Sequence, residues 1–318
     1  MKYFSMFSGI GGFELGIGDK AECVGYSEID KYAIKIYEKH FPNHTNFGDC
    51  TTIKPEELPD FDLIVGGFPC QAFSIAGKRR GFNDTRGTLF FDIARILKEK
   101  QPRLLLLENV KGLLSHDNGR TFKTIVSTLT ELGYDVQWQV LNSKNFGVPQ
   151  NRERVFIIGH LRGTSRPKVF PIFGTNSKDI IVNGVLDTET WRKRHEQIRR
   201  IHSIDGISPT LPTGMGGGVM TKIEITDDGR LGNAGVGEDY PFGQNNGGNT
   251  STSDQCESSI LSHPTIKVRR LTPTECMRLQ GFPDNWCDGI SDSQKYKCAG
   301  NAVTVNVIKA IIDKLFPS

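Results

Sequence analysis

An open α/β fold is predicted for residues 1–160. Three observations predict it: short apolar runs alternate with amphipathic helical stretches, two runs are apolar on both faces, and a glycine-rich turn follows the first run. Strands are expected near 2–7, 22–28, 61–65 and 103–107, with helices near 31–41, 88–100 and 118–132. The run Asp62-Leu-Ile-Val is continuously apolar after its first residue, as is Leu104 to Leu107. Such runs suit central strands covered on both faces by crossover helices, so the sheet is expected to be parallel. Within 88–100, Leu89, Phe90, Ile93, Ile96 and Leu97 recur at helical spacing and read as core packing. Val305, Ile308, Ile312 and Leu315 repeat that spacing, which predicts an amphipathic helix packed back on this first domain.

From about residue 162 the βα rhythm gives way to Pro, Gly, Ser and Thr, and apolar periodicity resumes only at Lys267. A second domain is therefore expected over 161–291, with 292–318 completing the first. Residues 162–222 hold ten Lys/Arg against five Asp/Glu, including Arg192-Lys-Arg and Arg199-Arg200. This stretch suits either phosphate contact or a solvated helix face. Residues 223–266 reverse the sign, with seven acidic residues against Arg230 alone, and read as a Gly- and Asn-rich insertion repelled by phosphates.

At 318 residues the chain exceeds one typical domain of about 100–150 residues. Hydrophobic residues at 37% and charged residues at 24% exclude wholesale disorder. No apolar run approaches the ~20 residues that span a bilayer. Glycine arrives at Gly9, Gly11 and Gly12 with no small-residue cleavage pattern, so no secretory leader is expected and a cytoplasmic location is. Seven cysteines, odd in number and without a C-x-x-C pair, argue against a disulfide framework or a Cys-rich zinc site. His40 and His44 are separated by Pro42, and no metal is expected. The net charge of +3 is too small to imply a nucleic-acid partner by itself.

Four groups of residues sit where chemistry is expected, at the carboxyl ends of predicted strands. Phe7-Ser-Gly-Ile-Gly-Gly is a turn that lets backbone approach a ligand. A dinucleotide fingerprint would need glycine at position 14, where Glu14 stands beside the expected pyrophosphate site; NAD is disfavoured. Glu28 ends the second strand, a position from which a carboxylate accepts hydrogen bonds from ribose hydroxyls, or else simply begins the next helix. Gly66-Gly-Phe-Pro-Cys-Gln places Cys70 after a buried strand, a setting for a nucleophilic thiolate. Glu108, after Leu104 to Leu107, is either a proton donor with a raised pKa or a helix-start acid. Gly9, Glu28, Cys70 and Glu108 follow four different strands, so a parallel sheet gathers them on one rim. In Gln150-Asn-Arg-Glu-Arg, Arg152 and Arg154 stand two apart, which in a strand puts both guanidiniums on one face to bind a carbonyl or phosphate, or to blunt a sheet edge.

Taken together these motifs resemble the DNA (cytosine-5) methyltransferase family, in the family's order and over most of the chain. Phe7 to Gly12 resembles its cofactor turn, Glu28 its ribose-binding acid, Asp49 its adenine contact and Gly67-Phe-Pro-Cys-Gln its nucleophile loop. Glu108-Asn-Val resembles its acid motif, and Gln150 to Arg154 its arginine motif. Arg269 to Pro283 resembles the segment bracing its recognition domain, Thr210-Leu211 with Gly214 to Gly218 that domain's core, and Gly300-Asn-Ala-Val its closing cofactor motif. Asp62 to Asn118 is especially similar to the HhaI type. Ser5 departs from the family's usual aspartate, and 223–266 matches no family block.

The resemblance implies a Rossmann-like S-adenosylmethionine-dependent methyltransferase fold with a smaller irregular target-recognition domain. It implies cofactor contacts from Phe7, Ser8, Gly9, Gly11, Gly12, Glu28, Ile29, Asp49, Pro69, Leu89, Asn301 and Ala302. Cys70 would attack cytosine C6, Glu108 would donate a proton at N3, and Arg154 with Arg152 would hold the O2 edge of a base flipped out of double-stranded DNA. Ala76-Gly-Lys-Arg-Arg-Gly-Phe, with glycines flanking three cations, reads as a loop closing on the DNA. A monomer in a restriction–modification or phage-protection setting is expected, any cognate endonuclease acting separately. A tRNA cytosine-5 methyltransferase on the same scaffold is disfavoured, because the Cys-Phe-Thr motif of that branch is absent.

Overall fold

The apolar runs become the inner strands of a six-stranded sheet. Residues 1–69, 89–165, 167–175, 179–185, 200–203, 205–212, 221–225 and 267–317 are described by a computed structural model. The strands are β1 (Lys2–Met6), β2 (Glu22–Ser27), β3 (Leu63–Gly67), β4 (Leu104–Val110), β5 (Tyr134–Asn142) and β7 (Glu153–Leu161), in the order β2-β1-β3-β4-β7-β5. The short β6 (Gln150–Asn151) lies outside this sheet and pairs in parallel with β10 (Ser208–Pro209).

The expected parallel sheet is corrected here: β1 to β4 are mutually parallel, but β7 runs antiparallel to both β4 and β5. The connection from β5 to β7 contains no crossover helix, and a parallel return requires one.

Side-chain alternation splits the core. Leu105 and Leu107 face a cluster with Phe90, Ile93, Ile96 and Leu97 of α3 (Leu89–Lys100) and Ile125 and Leu129 of α4 (Arg120–Glu131). Leu104 and Leu106 face the opposite cluster, with Phe13 and Ile17 of α1 (Gly12–Ile17) and Ile308, Ile311, Ile312 and Leu315 of the C-terminal helix Val305–Leu315. Both amphipathic helices therefore bury the faces that their spacing predicted, each buried aliphatic side chain contributing about 1.5–3 kcal/mol.

A third cluster joins Ala33 and Ile36 of α2 (Lys31–His40) to Leu211, Ile223, Leu271 and helix α5 (Pro273–Leu279), through Phe282, Trp286 and Cys298 of α6 (Asp292–Asn301). The helix Val305–Leu315 is α7. A four-stranded sheet, β12 (Lys267–Arg270), β11 (Lys222–Ile225), β9 (Arg200–His202) and β8 (Val182–Val185), occupies the segment expected to be a second domain. The core extends past residue 161, because Val169, Phe170 and Ile172 pack with the second cluster. Among the described residues no helix is long and apolar enough to cross a membrane.

Candidate active site

The turn after β1 holds an unusual backbone. Phe7 (φ 54°), Gly9 (φ 57°) and Gly11 (φ 88°) all lie in the left-handed region, which only glycine enters without strain. A Cβ on Gly11 would also stand 2.5 Å from the Phe41 ring. Gly11→Ala should therefore destabilise the protein by about 2–4 kcal/mol, the left-handed penalty plus overpacking. Urea unfolding measures this directly.

Glu28 fastens the turn to the end of β2. Its Oε2 accepts from the Gly9 amide at 2.8 Å, and its Oε1 accepts from the amides of Ile29 and Asp30 at 2.8 and 2.9 Å. The carboxylate thus serves the backbone as well as standing at the position expected of a ribose acceptor. Ile29 beside it is 70% exposed, an uncovered apolar face. Asp49 Oδ1 accepts from the Thr51 amide and hydroxyl at 2.9 and 2.8 Å, and these bonds hold the carboxyl below its ordinary range. In the turn, Ser8 is buried and its Oγ finds no partner.

Glu14, in the first turn of α1, is buried and neither carboxylate oxygen has a hydrogen-bond partner. Burial raises its pKa to about 7, and the nearby Ser5 and Tyr37 hydroxyls offset only part of the desolvation. A raised carboxyl favours folding fully below its ordinary value of 4.5 and loses that contribution as pH rises through about 7. Glu14→Gln should therefore flatten the fall in stability between those two values and stabilise the protein above them by up to about 3 kcal/mol. Urea midpoints across that range, compared with wild type, test the sign.

At the end of β4, Glu108 is buried and forms an ion pair with Arg154, Nε to Oε1 at 3.1 Å. Burial pushes its carboxyl up, outweighing the downward pull of the Arg154 and Arg152 guanidiniums. Gly67, the last residue of β3, is directly opposite Glu108 in the ladder, and a Cβ there would lie 3.2 Å from Glu108 Oε2. Asn109 Nδ2 donates to the Phe68 carbonyl at 2.9 Å, tying the end of β4 to the chain one residue before the exposed Pro69. Cys70 and the Ala76 to Phe82 segment lie outside the described residues, as do Arg192 to Arg194, Arg199, Gly214 to Gly218 and 226–266.

Arg152 and Arg154 both act on Glu108 but are held by different partners. Arg152 precedes β7, is only 2% exposed, and donates from Nη2 to the carbonyls of Gly300 and Ala302 at 3.0 and 2.9 Å. Desolvation depresses its pKa to about 9, so the guanidinium remains charged at neutral pH. Its Nε and Nη1 have no hydrogen-bond partner. Arg152 therefore braces the segment carrying the exposed Asn301 and the buried Ala302, while Arg154 stays with Glu108. Leu89, partly buried, packs against the first core cluster. Thr210 Oγ1 donates to the Asn151 carbonyl at 2.7 Å, linking the expected recognition core to the arginine motif.

The sequence places Asn109 and Gln150 inside the acid and arginine motifs without giving either a role. Gln150 is fully buried and its Nε2 donates to the Leu279 carbonyl at 2.9 Å. An amide side chain within each charged motif was the available signal.

A glycine turn, an acid ending the neighbouring strand, and a buried carboxyl paired with arginine on the same sheet define a Rossmann-like methyltransferase class. The chain matches the C-5 cytosine-specific DNA methylase family over residues 1–317. It is 42% identical over 322 residues to the Type II methyltransferase M1.ScrFI of Lactococcus lactis subsp. cremoris, covering 99% of this chain and 77% of that protein. Against the Type II methyltransferase M.HhaI of Haemophilus parahaemolyticus the identity is 35% over 342 residues, covering 98% and 93%. In fold it is similar to a mutant DNMT2 of Spodoptera frugiperda (TM-score 0.67, 20% identity, 99% of both chains). EhMeth of Entamoeba histolytica is also similar (TM-score 0.68, 19% identity, 99% and 98%). The chain belongs to the C-5 cytosine-specific DNA methylase family and is a DNA cytosine-5 methyltransferase.

Proposed function

We propose that the protein uses S-adenosylmethionine to methylate C5 of a cytosine flipped out of a specific sequence in double-stranded DNA. The observation that supports this most is the buried Glu108, paired with Arg154 and set opposite Gly67, three residues before Cys70. The unpartnered Ser8 hydroxyl, the Glu28 carboxylate and the uncovered Ile29 suit a nucleoside cofactor held with Phe7, Gly9, Gly11, Gly12, Asp49, Pro69, Leu89, Asn301 and Ala302. When bound, S-adenosylmethionine supplies a methyl group activated by its sulfonium.

Cytosine C5 is a weak nucleophile until C6 is attacked. The Cys70 thiolate forms the S–C6 bond while Glu108 places a proton at N3, which makes C5 electron-rich. After C5 is methylated, its proton leaves, the S–C6 electron pair returns to sulfur and the N3 proton returns to Glu108, freeing Cys70. Arg154 holds the Glu108 carboxyl and the O2 edge of the base. Arg152 acts one step removed, through the Gly300 to Ala302 backbone. Residues 161–291 read the DNA, and the Ala76 to Phe82 segment closes over the flipped base. The protein acts in the cytoplasm as a monomer, in a restriction–modification or phage-protection setting with any endonuclease acting separately; the first part of that setting is the one its Type II relatives suggest.

The test is incubation with labelled S-adenosylmethionine and plasmid DNA, followed by bisulfite mapping. Label confined to cytosines in one short sequence supports the assignment. Label on adenine, or none on DNA, overturns it.

A further inference from the structure

Ile10 sits between two left-handed glycines, Gly9 and Gly11, so its own backbone preference does little to fix the direction of its carbonyl. That carbonyl is held from more than 270 residues away, because Trp286 Nε1 donates to it at 2.9 Å. The indole is 7% exposed and lies flat on the His40 ring, with centroids 3.6 Å apart and planes 5° from parallel. His40 Nε2 in turn bonds the Trp286 backbone carbonyl at 2.8 Å, so each residue fixes the other. Phe41 and Phe282 pack against the same indole at 6.1 and 5.4 Å between centroids. The Glu28 carboxylate holds the turn at the Gly9 amide, and the indole N–H, rigidly seated in its own stack, holds it at the next carbonyl, that of Ile10.

We infer that Trp286 is a positioning residue for the cofactor turn: its N–H orients the Ile10 peptide and so presets the Phe7 to Gly12 backbone for S-adenosylmethionine. This rests on the cofactor reading above. Preorganisation of this kind acts on affinity, because a turn already in its bound shape loses less freedom on binding. It should act little on the chemical step.

Trp286→Phe keeps an aromatic ring beside His40 and removes the donor, together with part of the indole's packing surface. The expected result is a rise of about five- to tenfold in KM for S-adenosylmethionine and in Kd for S-adenosylhomocysteine, the scale of one buried hydrogen bond. Turnover at saturating cofactor should change by less than about twofold, the split expected for a binding effect. A residue of merely structural importance would lower Tm and kcat and leave KM alone, and that outcome overturns the inference. His40→Ala loosens the indole without deleting its N–H and guards against a misfolded first variant. It should raise KM about threefold, and an unchanged KM in both folded variants also overturns the inference. Calorimetry of the wild type with S-adenosylhomocysteine separates the two levels: absent binding sinks the cofactor reading itself, whereas equal binding by wild type and Trp286→Phe sinks only the role of Trp286.

Discussion

Cys70→Ala should abolish methyl transfer, lowering kcat by at least about 10⁴-fold while S-adenosylmethionine binding changes by less than about twofold. The asymmetry follows from chemistry. Without sulfur attack at C6, C5 stays too weak a nucleophile, whereas the turn, Glu28 and Asp49 belong to other segments and keep their hydrogen bonds. A duplex carrying 5-fluorocytosine gives the complementary result. After methylation C5 bears fluorine in place of hydrogen, no proton can leave, and the S–C6 bond persists. Wild-type protein should therefore form a complex with this DNA that survives denaturing electrophoresis, and Cys70→Ala should form none. Turnover by the variant at more than about 1% of the wild-type rate would remove Cys70 from the mechanism.

Glu108→Gln should lower kcat by about 10²- to 10⁴-fold, the usual worth of a positioned acid. Glutamine preserves the shape opposite Gly67 and a carbonyl facing Arg154, so the loss isolates the proton. The pH dependence has a definite sign. Because burial lifts the Glu108 carboxyl above its ordinary range despite two guanidiniums, the donor form survives to higher pH than an exposed glutamic acid would allow. Activity should then fall as pH rises through that lifted value, and the variant should lack this limb. Single-turnover rates on a pH series test it, and an identical limb in both proteins would assign the titration to another group. Glu108→Ala is a different experiment. It leaves Arg154 unpaired in a largely buried setting and should cost about 3 kcal/mol of stability as well.

The first four strands, the helices α2, α3, α4 and α7, and the common rim of Gly9, Glu28 and Glu108 were legible because each rests on local periodicity and on strand-end logic. The direction of β7 was not, and it matters chemically. Arg154 stands at the start of its strand; in a parallel sheet it would lie at the rim opposite Glu108. Reversal of β7 brings that start alongside the end of β4, where Val110 and Arg154 face each other in the ladder. Nothing in Arg152 and Arg154 themselves encodes this, since the reversal comes from a connection lacking a helix. The hold on Arg152 is equally non-local: its partners, the carbonyls of Gly300 and Ala302, lie about 150 residues away in sequence. Glu14 was read only as an obstacle to a pyrophosphate. Its isolation in the interior depends on Tyr3, Cys23 and Tyr37 closing around it, which no spacing rule reports.

The bond from Trp286 to Ile10, with the grip of Arg152 on Gly300 and Ala302, has a consequence during synthesis. A nascent chain that has emerged only as far as β12 owns every strand of the large sheet yet lacks the pieces that clasp its first turn. Such a chain can collapse around β1 to β7, but the Ile10 carbonyl and the Arg152 guanidinium lack these partners until the segment from Trp286 to Ala302 has been made.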